Sequence, residues 1–220
     1  MKKRLLQVIA FICVVATLFS LAACVKQPET GDDIAVENER VEHKATNGLH
    51  KGVDNIPDTG VPFVTDGSSE YKIVASNTDE NHKNAIAKAA GFISSHINGA
   101  TGVALEVIDG DSDVEWSKTA KLVVIGSDKL QQEAGFRTTN DDIGLTGYRI
   151  QTIGNSVFVS AEGDSGYNLA ALALLRILVG YDCLDLDAYI YTKDGSYLPE
   201  LDIVERPDFD YRVDQTYYTV

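Results

Sequence analysis

Residues 163–166, Gly-Asp-Ser-Gly, contain the serine that most suggests nucleophilic chemistry in this chain. A catalytic serine needs a histidine base and an acid that orients that base, all at fitting geometry. The motif is not the Gly-x-Ser-x-Gly elbow of the α/β-hydrolases. It lies between a predicted strand and an apolar helix, where Asp164 or Ser165 as a helix cap accounts for it. The sequence therefore predicts a helix start here and no catalytic serine.

Two other groups have residue types that bind metals. The run Asp109–Asp113 suggests calcium, but the sixth and twelfth positions of an EF-hand loop would hold Val114 and Ala120 instead of Gly and Glu. A solvated turn is predicted instead. His82 and His96 share one predicted helix, where fourteen positions at about 1.5 Å each place them roughly 21 Å apart. No metal site and no cofactor are predicted.

The acidic composition restricts the partners of the chain. The 220 residues include 19 Lys+Arg and 33 Asp+Glu, for a net charge of −14. Nucleic-acid phosphates would repel such a chain, so no nucleic-acid partner is predicted. Glycoside hydrolysis needs two carboxyl groups about 5 to 9 Å apart, and the sequence cannot place such a pair. No catalytic residue is assigned.

The N-terminus has the pattern of a secretory signal. A basic start, Met1–Arg4, precedes a largely apolar run that ends in Leu-Ala-Ala-Cys at Cys24. The cysteine after Leu-Ala-Ala resembles the lipobox of bacterial lipoproteins, which implies cleavage before Cys24 and acylation of its thiol. The alternative is a transmembrane anchor, which usually needs about 20 apolar residues. We expect residues 1–23 to be a lipoprotein signal peptide and the chain to be membrane-bound through lipid at Cys24, on the outer side of the cytoplasmic membrane or on an outer membrane if one exists.

The rest of the chain divides by composition. Residues 24–61 are polar, acidic and poor in large apolar groups, which predicts a flexible linker. Residues 62–206 carry the strand and helix patterns of a folded domain. Within it, Cys183 is predicted to be a small buried hydrophobe, and Trp116, the only tryptophan, is predicted to lie in a polar loop.

The periodicities predict an α+β domain, with a mixed β-sheet packed against two main helices. The helices are expected at about 79–98 and 165–179, with Thr78 or Asp79 capping the first, and Gly99 and Gly180 as terminators. A hairpin about Gly154-Asn155 is the clearest strand signal. Strands are predicted near residues 61–65, 71–75, 103–108, 121–126, 147–153, 156–161, 182–186 and 201–204.

The order and spacing of these motifs resemble the accessory N-terminal domain of bacterial alpha-glucuronidases, beta-hexosaminidases and related glycoside hydrolases. The resemblance runs from Phe63 to Arg212. The matching segments are Thr65-Asp-Gly, Tyr71-Lys-Ile-Val, Thr101-Gly-Val-Ala-Leu, Leu122-Val-Val-Ile-Gly, Gly147-Tyr-Arg-Ile, Asn155-Ser-Val-Phe-Val, residues 163–180 and residues 199–212.

This resemblance implies a non-catalytic domain that supports a following (β/α)₈ barrel. A barrel needs roughly 250 residues, so we expect it to be missing from this chain, with residues 207–220 as its truncated start. Arg212 aligns with a residue that contacts substrate hydroxyls in hexosaminidases, a role it would have only if a barrel were present. The glycine that follows it in the family is Val213 here.

The expected function is that of an accessory domain of a surface-anchored glycoside hydrolase acting on polysaccharide or glycan, and the chain alone is expected not to be an enzyme. The main alternative is a stand-alone surface lipoprotein that binds glycan or protein, with Trp116 as a candidate aromatic contact. A hydrolase complete within these residues is a third interpretation.

Overall fold

The computed structural model describes residues 56–138, 140–185 and 188–206. The predicted signal peptide, Cys24, most of the predicted linker and the tail with Arg212 lie outside the described residues. The predictions made for them remain predictions.

A six-stranded mixed sheet forms the centre of the described fold, in the order β10-β5-β6-β4-β2-β3. Strands β3, β2, β4 and β6 are parallel neighbours, and β5 runs antiparallel between β6 and β10. Two small antiparallel pairs, β1 with β9 and β7 with β8, stand apart from this sheet. The strands are β1 (Asp58–Pro62), β2 (Lys72–Ala75), β3 (Glu106–Asp109), β4 (Leu122–Ile125), β5 (Tyr148–Ile153), β6 (Ser156–Ala161), β7 (Asp182–Asp185), β8 (Ala188–Ile190), β9 (Tyr197–Pro199) and β10 (Asp202–Glu205).

Four helices are described: α1 (Lys83–Thr101), α2 (Asp128–Ala134), α3 (Asn140–Ile143) and α4 (Asp164–Val179). The two long helices α1 and α4 pack against each other and against one face of the sheet. Ten of the 16 residues of α4 are buried, as its nearly continuous apolar sequence requires. The predicted α+β class is confirmed.

The two faces of the sheet bury different side chains because side chains alternate along each strand. On β4, Val123 and Ile125 face the main core with α1 and α4, whereas Leu122 and Val124 belong to a second core. Phe158 of β6 is fully buried at the centre of that second core. Helix α2 and the residues around it cover this second core, so the sheet is buried on both sides.

The boundaries of α1 differ from the predicted ones by three or four residues. The helix begins at Lys83, and Asp79 stabilises the preceding turn by accepting the N–H groups of Asn81 and His82 on its carboxylate. It ends at Gly102, whose φ of 76° is the left-handed conformation favoured by glycine, and not at Gly99. The helix therefore continues for one turn past the predicted terminator.

The folded region begins earlier than the predicted boundary near residue 61. Strand β1 starts at Asp58 and pairs with β9, and the N–H of Glu200 donates to the carbonyl of Pro57 at 2.8 Å. The sequence predicted this strand near residues 61–65, three residues too late, because the partner that defines its bounds lies far along the chain. None of the described helices is both long enough and apolar enough to cross a bilayer.

Candidate functional site

The carboxyl ends of the parallel strands bring several polar side chains to one edge of the sheet. Ser76 follows β2, Asp111 follows β3, Ser127 follows β4 and Asp164 follows β6. In open sheets this edge is where ligands commonly bind. This edge of the sheet is therefore a candidate ligand-binding or catalytic site.

Asp111 is a buried structural acceptor. Its side chain is 3% exposed, and its carboxylate accepts hydrogen bonds from the hydroxyls of Ser127 and, at 3.5 Å, Ser76. The Nζ of Lys129 donates to three main-chain carbonyls of the same loop, including that of Asp111 at 3.2 Å. The predicted solvated turn is thus wrong for Asp111, because burial between β3 and α2 gives its carboxylate protein donors instead of water.

Replacing Asp111 with alanine is expected to reduce the free energy of unfolding by about 1–3 kcal/mol, because buried hydroxyls lose their acceptor. Asp113→Ala is the matched control, since Asp113 is exposed in the same loop, and its effect should stay within about 0.5 kcal/mol. Urea unfolding measures both. Equal effects of the two substitutions would contradict the anchoring role.

The second pair at this edge joins the starts of the two long helices. His82 Nδ1 lies 2.8 Å from a carboxylate oxygen of Asp164, and the two side chains are 28% and 66% exposed. Gly163, in extended conformation, is the N-cap of α4, so the predicted cap at Asp164 or Ser165 is wrong. Ser165 is exposed. A side-chain pair as exposed as His82–Asp164 contributes little to stability.

Tyr167 lies next to this pair, 6.3 Å from His82 between ring centroids. Burial, together with the Asp79 carboxylate, raises the pKa of Tyr167 to about 12, so its phenol stays protonated near neutral pH. His82 and His96 contact different partners, Asp164 and Tyr191. Across residues 56–206, apart from the few positions left undescribed, no group of three or more His, Cys, Asp or Glu side chains could hold a metal ion.

Aromatic rings surround His96 near the other end of the helices. We call His96, Phe92, Tyr181, Tyr189 and Tyr191 the His96 cluster. The centroid of the imidazole lies 4.3 Å from that of Phe92, 4.6 Å from Tyr181 and 5.0 Å from Tyr189. The hydroxyl of Tyr191 is 2.8 Å from Nδ1 of His96. The cluster fastens the β7–β8 hairpin to α1.

Protonation of His96 is expected to destabilise the fold. Burial lowers the pKa of His96 from its ordinary 6.5. As pH falls below about 6.5, the unfolded chain takes up the proton first, so stability is present above this pH and declines below it. Urea unfolding should show the free energy of unfolding declining from about pH 7.5 to 5.5. The decline should be weaker in His96→Gln and retained in Tyr191→Phe. If His96→Gln showed the same decline, His96 would not be its cause.

The β7–β8 hairpin carries exposed apolar side chains. Leu184, Tyr189 and Ile190 are 64%, 49% and 43% exposed, and we call these three residues the hairpin surface.

Cys183 is exposed as well, with its thiol 3.2 Å from the carbonyl of Asp185. The prediction of a buried Cys183 is wrong: among the described strands β7 pairs only with β8, and all four of its residues are exposed.

The outer side of α4 also exposes apolar side chains. Leu169 and Leu172 are 44% and 38% exposed, three positions apart on the helix. Arg176, one turn beyond Leu172, approaches Asp182 of β7 to 4.0 Å. Exposed apolar groupings of this kind are typical of interaction sites.

Trp116 does not form an exposed aromatic platform. Its ring packs edge-on against Phe158, with centroids 6.1 Å apart, and its indole nitrogen is buried without a hydrogen-bond partner. Trp116 is half-buried, so the structure gives no support to its interpretation as a surface contact for sugars. Sequence reasoning missed its role because the residues that bury it come from β6 and α2.

Comparisons with known proteins give low similarity. No protein-family model matches the chain, and no curated protein sequence matches it. Among solved structures, the chain is similar to the Streptomyces plicatus N-acetyl-beta-hexosaminidase in complex with thio-NAglucal, at 16% identity and a TM-score of 0.40. It is also similar to the GH20 beta-N-acetylhexosaminidase from Streptomyces coelicolor A3(2), at 13% identity and a TM-score of 0.38. Each match covers 72% of this chain and 26% of the hexosaminidase, so the chain spans about a quarter of those proteins.

Proposed function

We propose that this chain carries a non-catalytic accessory domain of a glycoside hydrolase, lipid-anchored to the bacterial cell envelope through Cys24. The observation that carries the proposal is the exposure of apolar side chains on the hairpin surface and, on α4, at Leu169 and Leu172. An isolated domain gains nothing by exposing these side chains, whereas a second folded domain packed on them would remove them from water. The ordered series of sequence motifs from Phe63 to Arg212 supports a (β/α)₈ barrel as that second domain.

In this proposal the described domain supports the barrel and does no chemistry itself. The polar edge of the sheet is consistent with that role, since the Asp111 carboxylate is occupied by structural hydrogen bonds and the His82–Asp164 pair joins two helices. Arg212 would contact substrate only through the barrel. The sugar and linkage would be determined by the barrel.

The test begins with the gene. The DNA around the codon for Val220 is sequenced. If the reading frame continues and encodes a barrel, the longer protein is expressed alongside the present chain. We expect hydrolysis of aryl-glycosides by the longer protein alone. We also expect slower amide hydrogen exchange at residues 182–185 and 188–190 in the longer protein, with exchange in β4 unchanged. Turnover by the present chain, or unchanged exchange in the hairpin, would contradict the proposal.

Anchoring through Cys24 has a separate test. Cells expressing the full chain are labelled with a radioactive fatty acid, and the chain is recovered from the membrane fraction. Cys24→Ser should abolish the label and release the chain from the membrane. Cys183→Ser is the matched control and should change neither, because Cys183 belongs to the folded domain. Label retained in Cys24→Ser would contradict lipidation at this position.

A stand-alone surface lipoprotein that binds another protein is the second candidate function. The same hairpin surface favours it, since an apolar area of this kind suits a separate chain as well as a covalently linked domain. The gene decides between the two: a frame without a barrel would direct attention to a separate partner.

A further inference from the structure

A second feature lies beside the hairpin and takes no part in the proposed function. The C-terminal ends of α1 and α4, the β1–β9 pair and the segment before β9 line an open cleft of about 690 Å³. Residues 191–197 form much of its wall, and Ala100, Ile177 and Asp58 also line it. This volume falls within the range of about 300–1,000 Å³ found for small-molecule sites.

Main-chain hydrogen bonds hold the cleft wall on both sides. The N–H groups of Thr192 and Lys193 donate to the carbonyl of Val179 at the end of α4, at 3.2 and 3.1 Å. On the other side, the N–H of Phe63 donates to the carbonyl of Ser196 at 2.8 Å, and the N–H of Val64 donates to that of Gly195 at 3.2 Å. The wall is thus formed without a ligand, which lowers the entropic cost of binding.

The side chains that line the cleft combine aromatic rings with polar groups. Tyr191 and Tyr197 contribute rings, and Tyr197 is 50% exposed. Asp194 accepts the N–H of Ser196 at 3.1 Å, and hydrogen bonds from the Ser196 side chain and main chain lower the pKa of the Asp194 carboxyl below its usual value. Asp194 therefore presents a carboxylate, a strong acceptor for hydroxyl groups.

The charge of the cleft selects against anions. Asp58 and Asp194 bring two carboxylates to a lining that has one cation, Lys193, and the whole chain has a net charge of −14. Phosphorylated or uronate ligands would be repelled. An apolar ligand would leave the polar lining without partners. A neutral, hydroxyl-rich molecule with one apolar face fits both the rings and the acceptors.

We propose that this cleft binds a neutral oligosaccharide, with the C–H face of a sugar ring against Tyr197 and sugar hydroxyls donating to Asp194. The open shape lets the sugar chain continue out of the cleft. This inference goes beyond the proposed function, which assigns no ligand to the domain, and it applies whether or not a barrel accompanies it.

The test uses the full chain purified in detergent and a panel of defined sugars. Cellotetraose, xylotetraose and chitotetraose are the neutral probes, and tetragalacturonate is the acidic probe. We expect saturation-transfer NMR signals from at least one neutral sugar at millimolar concentration and none from tetragalacturonate. Absence of signal from all three neutral sugars would overturn the proposal, as would equal binding of the acidic one.

Substitutions then locate the binding. Tyr197→Ala should weaken the affinity about tenfold, the loss expected for one aromatic contact, and Tyr197→Phe should retain most of it. Leu184→Ala is the control, because Leu184 is exposed, at 64%, and lies outside both the cleft lining and the His96 cluster. Equal loss in Leu184→Ala and Tyr197→Ala, or no loss in Tyr197→Ala, would place the sugar elsewhere and refute the assignment. None of these results depends on glycoside hydrolysis.

Discussion

Replacing Gly147 with alanine should strongly destabilise the fold. A Cβ built at Gly147 would lie 2.0 Å from the carbonyl oxygen of Ile143 and 2.3 Å from that of Glu205. Both contacts are main chain, in α3 and β10, so no side-chain rotation can relieve them. Overpacking typically costs about 1–3 kcal/mol and more where the backbone must move. We expect a loss above about 3 kcal/mol out of a total of about 5–15 kcal/mol.

Gly91→Ala is the matched control for this substitution. Gly91 lies on the exposed side of α1, and a Cβ there would meet no atom within 4 Å. Alanine should therefore raise the helix propensity and stabilise the chain by about 0.5–1 kcal/mol. Urea unfolding of both variants gives the comparison. A destabilisation of Gly147→Ala no larger than about 1 kcal/mol would show that β5 and α3 are not packed as described.

Phe158→Ala is expected to cost about 3–5 kcal/mol, the range for truncating a buried phenylalanine. Phe158 is fully buried, with ring centroids 6.1 Å from Trp116 and 5.8 Å from Phe136. Its removal would leave a cavity beneath α2 and the loop that covers the second core. Strand β6 is central in the sheet, so the loss cannot be relieved by fraying at an edge.

The fluorescence of Trp116 gives a direct measure of the effect of Phe158→Ala. It is the only tryptophan of the chain, so its fluorescence comes from one site. We expect Phe158→Ala to red-shift the emission as water reaches the indole, and Phe158→Leu to preserve most of the stability. Tyr189→Ala, a truncation of an exposed ring, should leave the emission unchanged. Unaltered fluorescence in Phe158→Ala would argue against the packing of Trp116 on β6.

The sequence predicted well those elements whose signals are local. The β5–β6 hairpin follows from the Gly154-Asn155 turn, and its strands match the prediction to within a residue. Helix α4 follows from a continuous apolar run, and Gly180 ends it with a φ of 61°. In both cases the residues that determine the element are adjacent in sequence.

The missed elements depend on distant partners. Helix α2 has seven residues and was not predicted, although Ser127 caps it by accepting the N–H of Leu130. Strands β8 and β9 were missed, and β1 was predicted three residues too late, because each is short and exists through its pairing. The hydrophobic periodicity of a sequence cannot identify the distant strand with which a short strand pairs.

The chemistry of particular side chains was harder still to predict. Asp111 was expected in water and Cys183 in the core, and the structure reverses both. Whether each side chain is buried depends on which distant segments of the chain pack over it. The cleft wall could not be predicted either, because hydrogen bonds from Phe63 and Val64 to Gly195 and Ser196 join residues far apart in sequence.

The β1–β9 pairing has a consequence for how the molecule matures. The hydroxyl of Thr59 donates to the carbonyl of Leu198, 139 positions away. A ribosome must therefore synthesise almost the entire described region before β1 can find its partner, and closing so long a loop carries an entropic cost. Among the described strands, the first to leave the exit tunnel is therefore one of the last to pair.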